Sequence, residues 1–283
     1  MPTKTILVYF GNETQVVGLT KAAVAVARDF GAHVVGLHVV PGAFIPSGGL
    51  YEMTGELIEA QRQANAAAGN RVAEAFGKAI ANEGVPFEWR SFIADFEPVA
   101  AIVMRQGRET DLVVLGQPTN AITLIDGVAT SEEVMLGLGR PVLIIPERDG
   151  RGGIGKRVLL TWNASRESAR AVFDALPFLQ KAESVRLLAA KPVDGSSGGP
   201  GTDVSHKLGI LASLERHGVR CRFVEATPAD ADATASILAQ AKEHDCDLIV
   251  MGGYGHWRIR EIVFGWATRG VLNQATIPVL MSH

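Results

Sequence analysis

The 283-residue chain is short of cysteine, has no long apolar run and shows no excess of basic residues. Its two cysteines, Cys221 and Cys246, stand outside any metal-type spacing, so they read as free thiols with no disulfide framework or zinc site. No run of about 18 apolar residues occurs, and no transmembrane helix or membrane partner is expected. The opening "MPTKTILVYF" passes straight from a polar lead into a strand-like run, without the regions of a signal peptide. A cytoplasmic protein is the expectation. Lys and Arg total 27 against 30 Asp and Glu, a formal net charge of -3, far from the balance of a protein that neutralises phosphate backbones. Nucleic acid is not an expected partner. The seven histidines are scattered with no zinc-protease pairing, and no G-x-S-x-G elbow is present. No catalytic residue and no metal ligand can be named.

What is present is a repeat. "TDLVVLGQ" (Thr110 to Gln117) matches "CDLIVMGG" (Cys246 to Gly253), and "GRPVLIIP" (Gly139 to Pro146) matches "TIPVLMSH" (Thr276 to His283). The opening runs also correspond, "KTILVYFGNET" from Lys4 with "KRVLLTWNASRES" from Lys156. The opening runs are offset by about 152 residues and the later pairs by about 136, so the first copy carries ~16 extra residues. These fall in its second helix, a long helical stretch over Glu52 to Gly84 against Thr202 to Gly218 in the second copy. With 47% hydrophobic and 20% charged residues the chain suits two globular domains, 1–147 and 155–283, joined by the glycine-rich, charged "ERDGRGGIGK". That linker contains most of a G-x-x-x-x-G-K pattern, but Arg157 stands where a P-loop needs Ser or Thr, and a strand follows where a helix should open.

Apolar strands alternate with helices in each copy. In the first, strands are expected at Thr5 to Tyr9, His33 to Val40, Phe87 to Ile93, Leu112 to Leu115 and Val142 to Ile145. Helices are expected near Thr14 to Phe30, after Glu97-Pro98 and near Ser131 to Leu138. In the second, strands at Arg157 to Thr161, Val185 to Ala189, Cys221 to Glu225, Leu248 to Met251 and Val279 to Met281 alternate with helices from about Ser165 and near Asp232 to Glu243. Strands apolar on both faces and separated by helices predict two tandem α/β domains, each a doubly wound, Rossmann-like parallel sheet. Ligands bind such sheets at the carboxyl ends of strands where strand order reverses, which selects the loops after the first and fourth strands of each copy.

In the second copy the fourth-strand loop is "GGYGHWRIREIVFGWATRG", with Gly252, Gly255 and Gly265 spaced as G-x2-G-x9-G. Glycines without Cβ let a backbone pass close to a phosphate, and Gly265 is expected to precede a helix whose free N–H groups favour an anion. They can equally be turn glycines. The order of elements, the doubling and this loop resemble the universal stress protein family in its tandem form, over essentially the whole chain. The resemblance implies an adenine nucleotide alpha hydrolase-like fold and a regulatory or protective role in stress response. It also implies an internal pseudo-dimer through the apolar last strands, leaves a further homodimer open, and names no particular protein partner.

Nucleotide-binding relatives carry Ser or Thr after the last glycine, where this chain has Trp266 with Thr268 two residues on, and an Asp after the first strand, where it has Asn163. The candidate nucleotide-binding set is Thr161, Trp162, Asn163, Met251, Gly252, Gly255, His256, Gly265, Trp266, Ala267 and Thr268. ATP is the cofactor so implied, with magnesium only alongside it, and any catalysis would be at most slow ATP hydrolysis. The alternative is a small-molecule or protein-partner module whose pocket Trp266 fills. The first copy keeps Gly116 but has Thr119 and Val128 near the other glycine positions, and its first strand runs into Tyr9-Phe10-Gly11, so it is expected not to bind.

Overall fold

A computed structural model describes residues 3–42, 55–95, 97–117, 131–147, 153–189, 204–224, 232–253 and 263–283, without the side chains of 204–207 and 263–267. The chain divides into two compact units, Lys4–Leu138 and Gly139–His283, the latter also including Thr3. In the first, β1 (Thr5–Tyr9) leads through a 3-10 turn (Glu13–Gln15) to α1 (Val16–Phe30) and β2 (His33–Pro41). There follow α2 (Gly55–Ile80), β3 (Phe87–Ala94), α3 (Val99–Gly107), β4 (Leu112–Gly116) and α4 (Ser131–Leu138). The strands run in the order β3-β2-β1-β4, all parallel.

The second unit begins with β5 (Val142–Ile145), β6 (Arg157–Trp162), α5 (Arg166–Asp174), α6 (Leu176–Lys181) and β7 (Ser184–Ala189). It continues with α7 (Val204–Arg216), β8 (Cys221–Val224), α8 (Ala233–Glu243), β9 (Leu248–Gly252), α9 (Val263–Gln274) and β10 (Val279–Ser282). Its order is β5-β10-β9-β6-β7-β8, parallel throughout except where β5 meets β10 antiparallel, Leu143 opposite Leu280. By the repeat β5 closes the first copy, yet it lies in the compact unit of the second. Both units are the doubly wound α/β sheets that the alternation of elements predicts.

The central strands are apolar because both faces are covered: Ile6, Leu7 and Val8 in β1 and Val158, Leu159 and Leu160 in β6 are fully buried. The helix expected from about Ser165 is instead two, α5 and α6, because Pro177 sits in the opening turn of α6, where its missing N–H does no harm. The extra length of the first copy lies in α2, 26 residues against 13 in α7, a difference of 26 − 13 = 13. Near its C-terminal end α2 sends Phe76 into an aromatic cluster with Phe10 at 5.4 Å, Trp89 at 5.3 Å and Phe87 at 5.8 Å between ring centroids. Gly36 makes room for it, since a Cβ there would lie 2.8 Å from the Phe76 ring.

The Asp that opens each repeated run performs the same task twice. Asp111 Oδ2 accepts the backbone N–H groups of Lys4 at 2.8 Å and Thr5 at 3.0 Å. Asp247 Oδ1 accepts those of Gly155 at 2.9 Å and Arg157 at 3.0 Å. Each carboxylate therefore ties the entrance of its copy's first strand, β1 or β6, to the entrance of the fourth, β4 or β9. Asp247 is the more deeply buried, and burial pushes its carboxyl above the usual range despite the backbone N–H groups that favour the charged form.

Candidate functional site

The strand order of the second unit reverses between β6 and β9, so a crevice opens at their carboxyl ends. Leu160 and Val250 are in register, and two residues further along stand Trp162 and Gly252. On its other side Gly252 is in register with Ser282 of β10. A Cβ on Gly252 would meet the carbonyl carbon of Glu167 and the nitrogen of Ser168, both at 2.6 Å. Only glycine lets the end of β9 lie so close to the first turn of α5. Gly252 therefore has a packing task in addition to whatever a ligand asks of it.

The loop after β6 is fixed by its own side chains. Asn163 Oδ1 accepts the N–H of Ser165 at 3.1 Å, and Ala164 between them takes the left-handed conformation at φ 57°. Ser165 caps α5, its Oγ accepting the N–H of Ser168 at 3.1 Å, while Ser168 Oγ donates to the Ser165 carbonyl at 2.9 Å. The side-chain oxygen of Asn163 is thus engaged within the turn. Thr161 is buried and donates to the Val250 carbonyl at 3.4 Å.

Three polar groups border this corner. Trp162 Nε1 and Ser282 Oγ are buried and have no hydrogen-bond partner among the described residues. Such unmet groups cost about 1–3 kcal/mol each, so an acceptor brought by water or ligand would be favoured there. The third is Glu167, whose side chain is 8% exposed and pairs at 3.1 Å with Arg166, itself 79% exposed. Sequence reasoning missed Glu167 because an acid in the first turn of a helix is ordinary; its contact with Gly252, 85 residues away, marks it out.

The remaining candidates are spread. Met251 is buried in β9. Gly255 and His256 lie outside the described residues. Gly265, Trp266 and Ala267 fall inside α9, which begins at Val263, so Gly265 is part of the helix instead of preceding it. Thr268 is buried on α9, and Gly270 of the same helix packs against Thr234 of α8.

The first unit repeats this corner with other chemistry. A Cβ on Gly116 would lie 2.9 Å from Gln15 Nε2, so Gln15 stands where Glu167 stands in the second copy. Phe10, the counterpart of Trp162, is fully buried in the aromatic cluster, and the His38 Nδ1 donates to its carbonyl at 2.7 Å. Burial lowers the His38 imidazole below its usual range, which keeps it neutral. Thr119 and Val128 lie outside the described residues.

Other chemistry finds little support. Burial pushes the thiols of Cys221 to about 12 and of Cys246 to about 11, so thiolate is scarce at neutral pH. Among the described residues no group of three or more His, Cys, Asp or Glu is placed to hold a metal ion. None of their helices is long and apolar enough to cross a membrane. At the P-loop-like run, Gly155 takes φ 86° and leads directly into β6, a turn before a strand.

Comparison with known proteins agrees with the resemblance. Residues 155–283 match the model of the "Universal stress protein family". A universal stress protein of Synechocystis is 25% identical over 173 residues, covering 60% of this chain and 57% of that protein. The chain thus spans little more than half the length of that relative. Among solved structures, a universal stress protein of Archaeoglobus fulgidus superposes with a TM-score of 0.68 at 16% identity, over 98% of this chain and 95% of the other. A functionally unknown protein of Pseudomonas aeruginosa PAO1 does so at 0.60 and 16%, over 99% and 92%. At these identities the structural likeness speaks for the fold.

Proposed function

Because residues 155–283 match the universal stress protein family model, we propose that the chain is a tandem universal stress protein of the cytoplasm, regulatory or protective in stress response, holding an adenine nucleotide in its C-terminal unit. The observation that carries this reading is the spacing of Gly252, Gly255 and Gly265 together with the position of Gly252 at the carboxyl end of β9, beside the end of β6. Asn163 and Trp162 supply donors for the nucleoside, and the backbone around Gly252 and Gly255 receives its phosphates. ATP is one such ligand, with magnesium entering only as its counter-ion. Glu167, a carboxylate at this corner, is paired with Arg166, and the role is nucleotide binding with at most slow ATP hydrolysis. Equilibrium binding of a labelled ATP analogue to the full chain tests this. Binding that Asn163→Ala weakens and Phe10→Leu leaves unchanged supports it, and no binding at millimolar ligand refutes it.

A second reading is a module for another small molecule or a protein partner with Trp266 filling the pocket, and it rests on Trp266 standing where nucleotide-binding relatives carry Ser or Thr. Trp266→Ser separates the two. Gain of ATP binding would show that the ring obstructs an otherwise competent loop.

A further inference from the structure

We propose that two copies of the chain associate through the outer edge of β3, pairing antiparallel about a two-fold axis at Trp89. Among the described residues β3 pairs only with β2, along its whole length from Phe87 opposite Val34 to Ala94 opposite Pro41. The edge strand at the corresponding place in the second unit, β8, has only four residues. At the two ends of β3 the carbonyls of Pro86 and Ala94 accept the N–H groups of Val34 at 2.9 Å and Gly42 at 3.1 Å, so the even-numbered residues turn their backbone groups toward β2. The N–H and C=O groups of Phe87, Trp89, Ser91 and Ile93 therefore point away from the sheet. Such a row is a template for another strand.

The side chains along this edge select a second copy as that strand. A row of like charge would repel it, but here Glu88 and Arg90 carry opposite signs two residues apart on one face of the strand. Arg90 Nη2 pairs with Glu88 Oε1 at 2.6 Å, and Nη1 reaches Gln106 of α3 at 2.8 Å and Glu109 at 3.5 Å. Reversal of the strand about Trp89 sets Glu88 of each copy opposite Arg90 of the other. Both pairs fall at positions without ladder hydrogen bonds, where side chains approach most closely. An axis at Glu88 or at Arg90 would oppose like charges, and one at Ser91 would set Arg90 against Phe92.

The same axis suits the other face. Trp89 meets its equivalent, Phe87, which is 42% exposed, meets Ser91, and Ile93, which is 64% exposed, meets Val85 of the second copy. Each outward N–H from Phe87 to Ser91 then finds a carbonyl across the axis.

Sedimentation equilibrium of the full chain, over a concentration series reaching millimolar, tests the proposal. The wild type is expected to form a reversible dimer that added salt weakens, because the charge pairs lie near solvent. Glu88→Arg sets Arg opposite Arg and Arg90→Glu sets Glu opposite Glu, so each variant alone should dimerise about ten-fold more weakly or worse. An equimolar mixture of the two restores unlike pairs and should associate as a heterodimer, a rescue that variants unable to fold would not give. Ser91→Pro removes an N–H that faces away from β2, so it should weaken the dimer while the chain melts as the wild type does. A wild type that stays monomeric at millimolar concentration overturns the proposal. So does a dimer indifferent to the three substitutions, or a mixture that associates no more tightly than its components.

Discussion

Removing the Asp247 carboxylate should cost the second unit more than removing Asp111 costs the first, although each carboxylate accepts two backbone N–H groups. Asp247→Ala strands the N–H groups of Gly155, which is buried, and Arg157, which is partly so. Each unmet buried donor costs about 1–3 kcal/mol, less the desolvation of the carboxylate that alanine no longer suffers, so a net loss of about 2–4 kcal/mol is expected. Asp111→Ala exposes the N–H of Lys4, which water can reach, and the loss falls to about 1–2 kcal/mol. Asp247→Asn keeps an oxygen for both donors and should lose about 1 kcal/mol at pH 7. Because burial raises the folded Asp247 carboxyl above its unfolded value, its stability contribution is fully present below the unfolded value and is lost as pH rises through the folded one. The Asn penalty should therefore be larger at pH 4 than at pH 7. Hydrogen-exchange mass spectrometry across a urea series reads the two units separately, from peptides spanning β6 and β1. Equal losses for the two alanine variants, or an asparagine variant as damaged as alanine at pH 7, would refute the reasoning.

Gly252→Ala should destabilise the second unit by about 2–3 kcal/mol in urea unfolding, since backbone atoms of α5 must retreat. Gly116→Ala should cost less than half of that, because the obstacle is the end of the flexible Gln15 side chain. His38, neutral when folded with its pKa depressed, contributes fully above its unfolded value near 6.5, and the first unit loses stability as pH falls from there toward the depressed value. His38→Asn, which can still donate to the Phe10 carbonyl, should flatten this slope in thermal melts between pH 7 and 5; an unchanged slope would exclude His38 as its source. Cys221 and Cys246 should react with an aromatic disulfide at neutral pH at least ten-fold more slowly than they do in urea-unfolded chain. Equal rates would show that burial does not protect them.

The sequence carries most of the fold because its signals are local. The apolar run Thr5 to Tyr9 and the helix Ser131 to Leu138 coincide with β1 and α4 as observed. The repeat brings out the equivalence of Gly116 with Gly252. Less legible are effects that depend on distant contacts. Asp111 and Asp247 stand out in the repeat, but their role as strand latches involves N–H groups 90 or more residues away. Glu167 offers no pattern at all, since only the close approach of Gly252 marks it out. The division of α5 from α6 is signalled only by Pro177, and a proline in a helix's first turn and one inside a helix look alike without the boundary. Gly265 illustrates the same difficulty, as three residues decide whether it precedes α9 or belongs to it.

The antiparallel pairing of β5 with β10 makes one half of the repeat depend on the other. The segment copied in the sequence and the segment that folds as one body are not the same, because the closing strand of the first copy supplies an edge of the second body's sheet. Scission before β5 would leave that sheet attached to its strand, whereas scission at the glycine-rich linker after it would bare the apolar flank of β10. A duplication that shares a strand in this way makes the second half dependent on the first for solubility, which gives selection a reason to keep a first copy that lacks the later glycines of the loop.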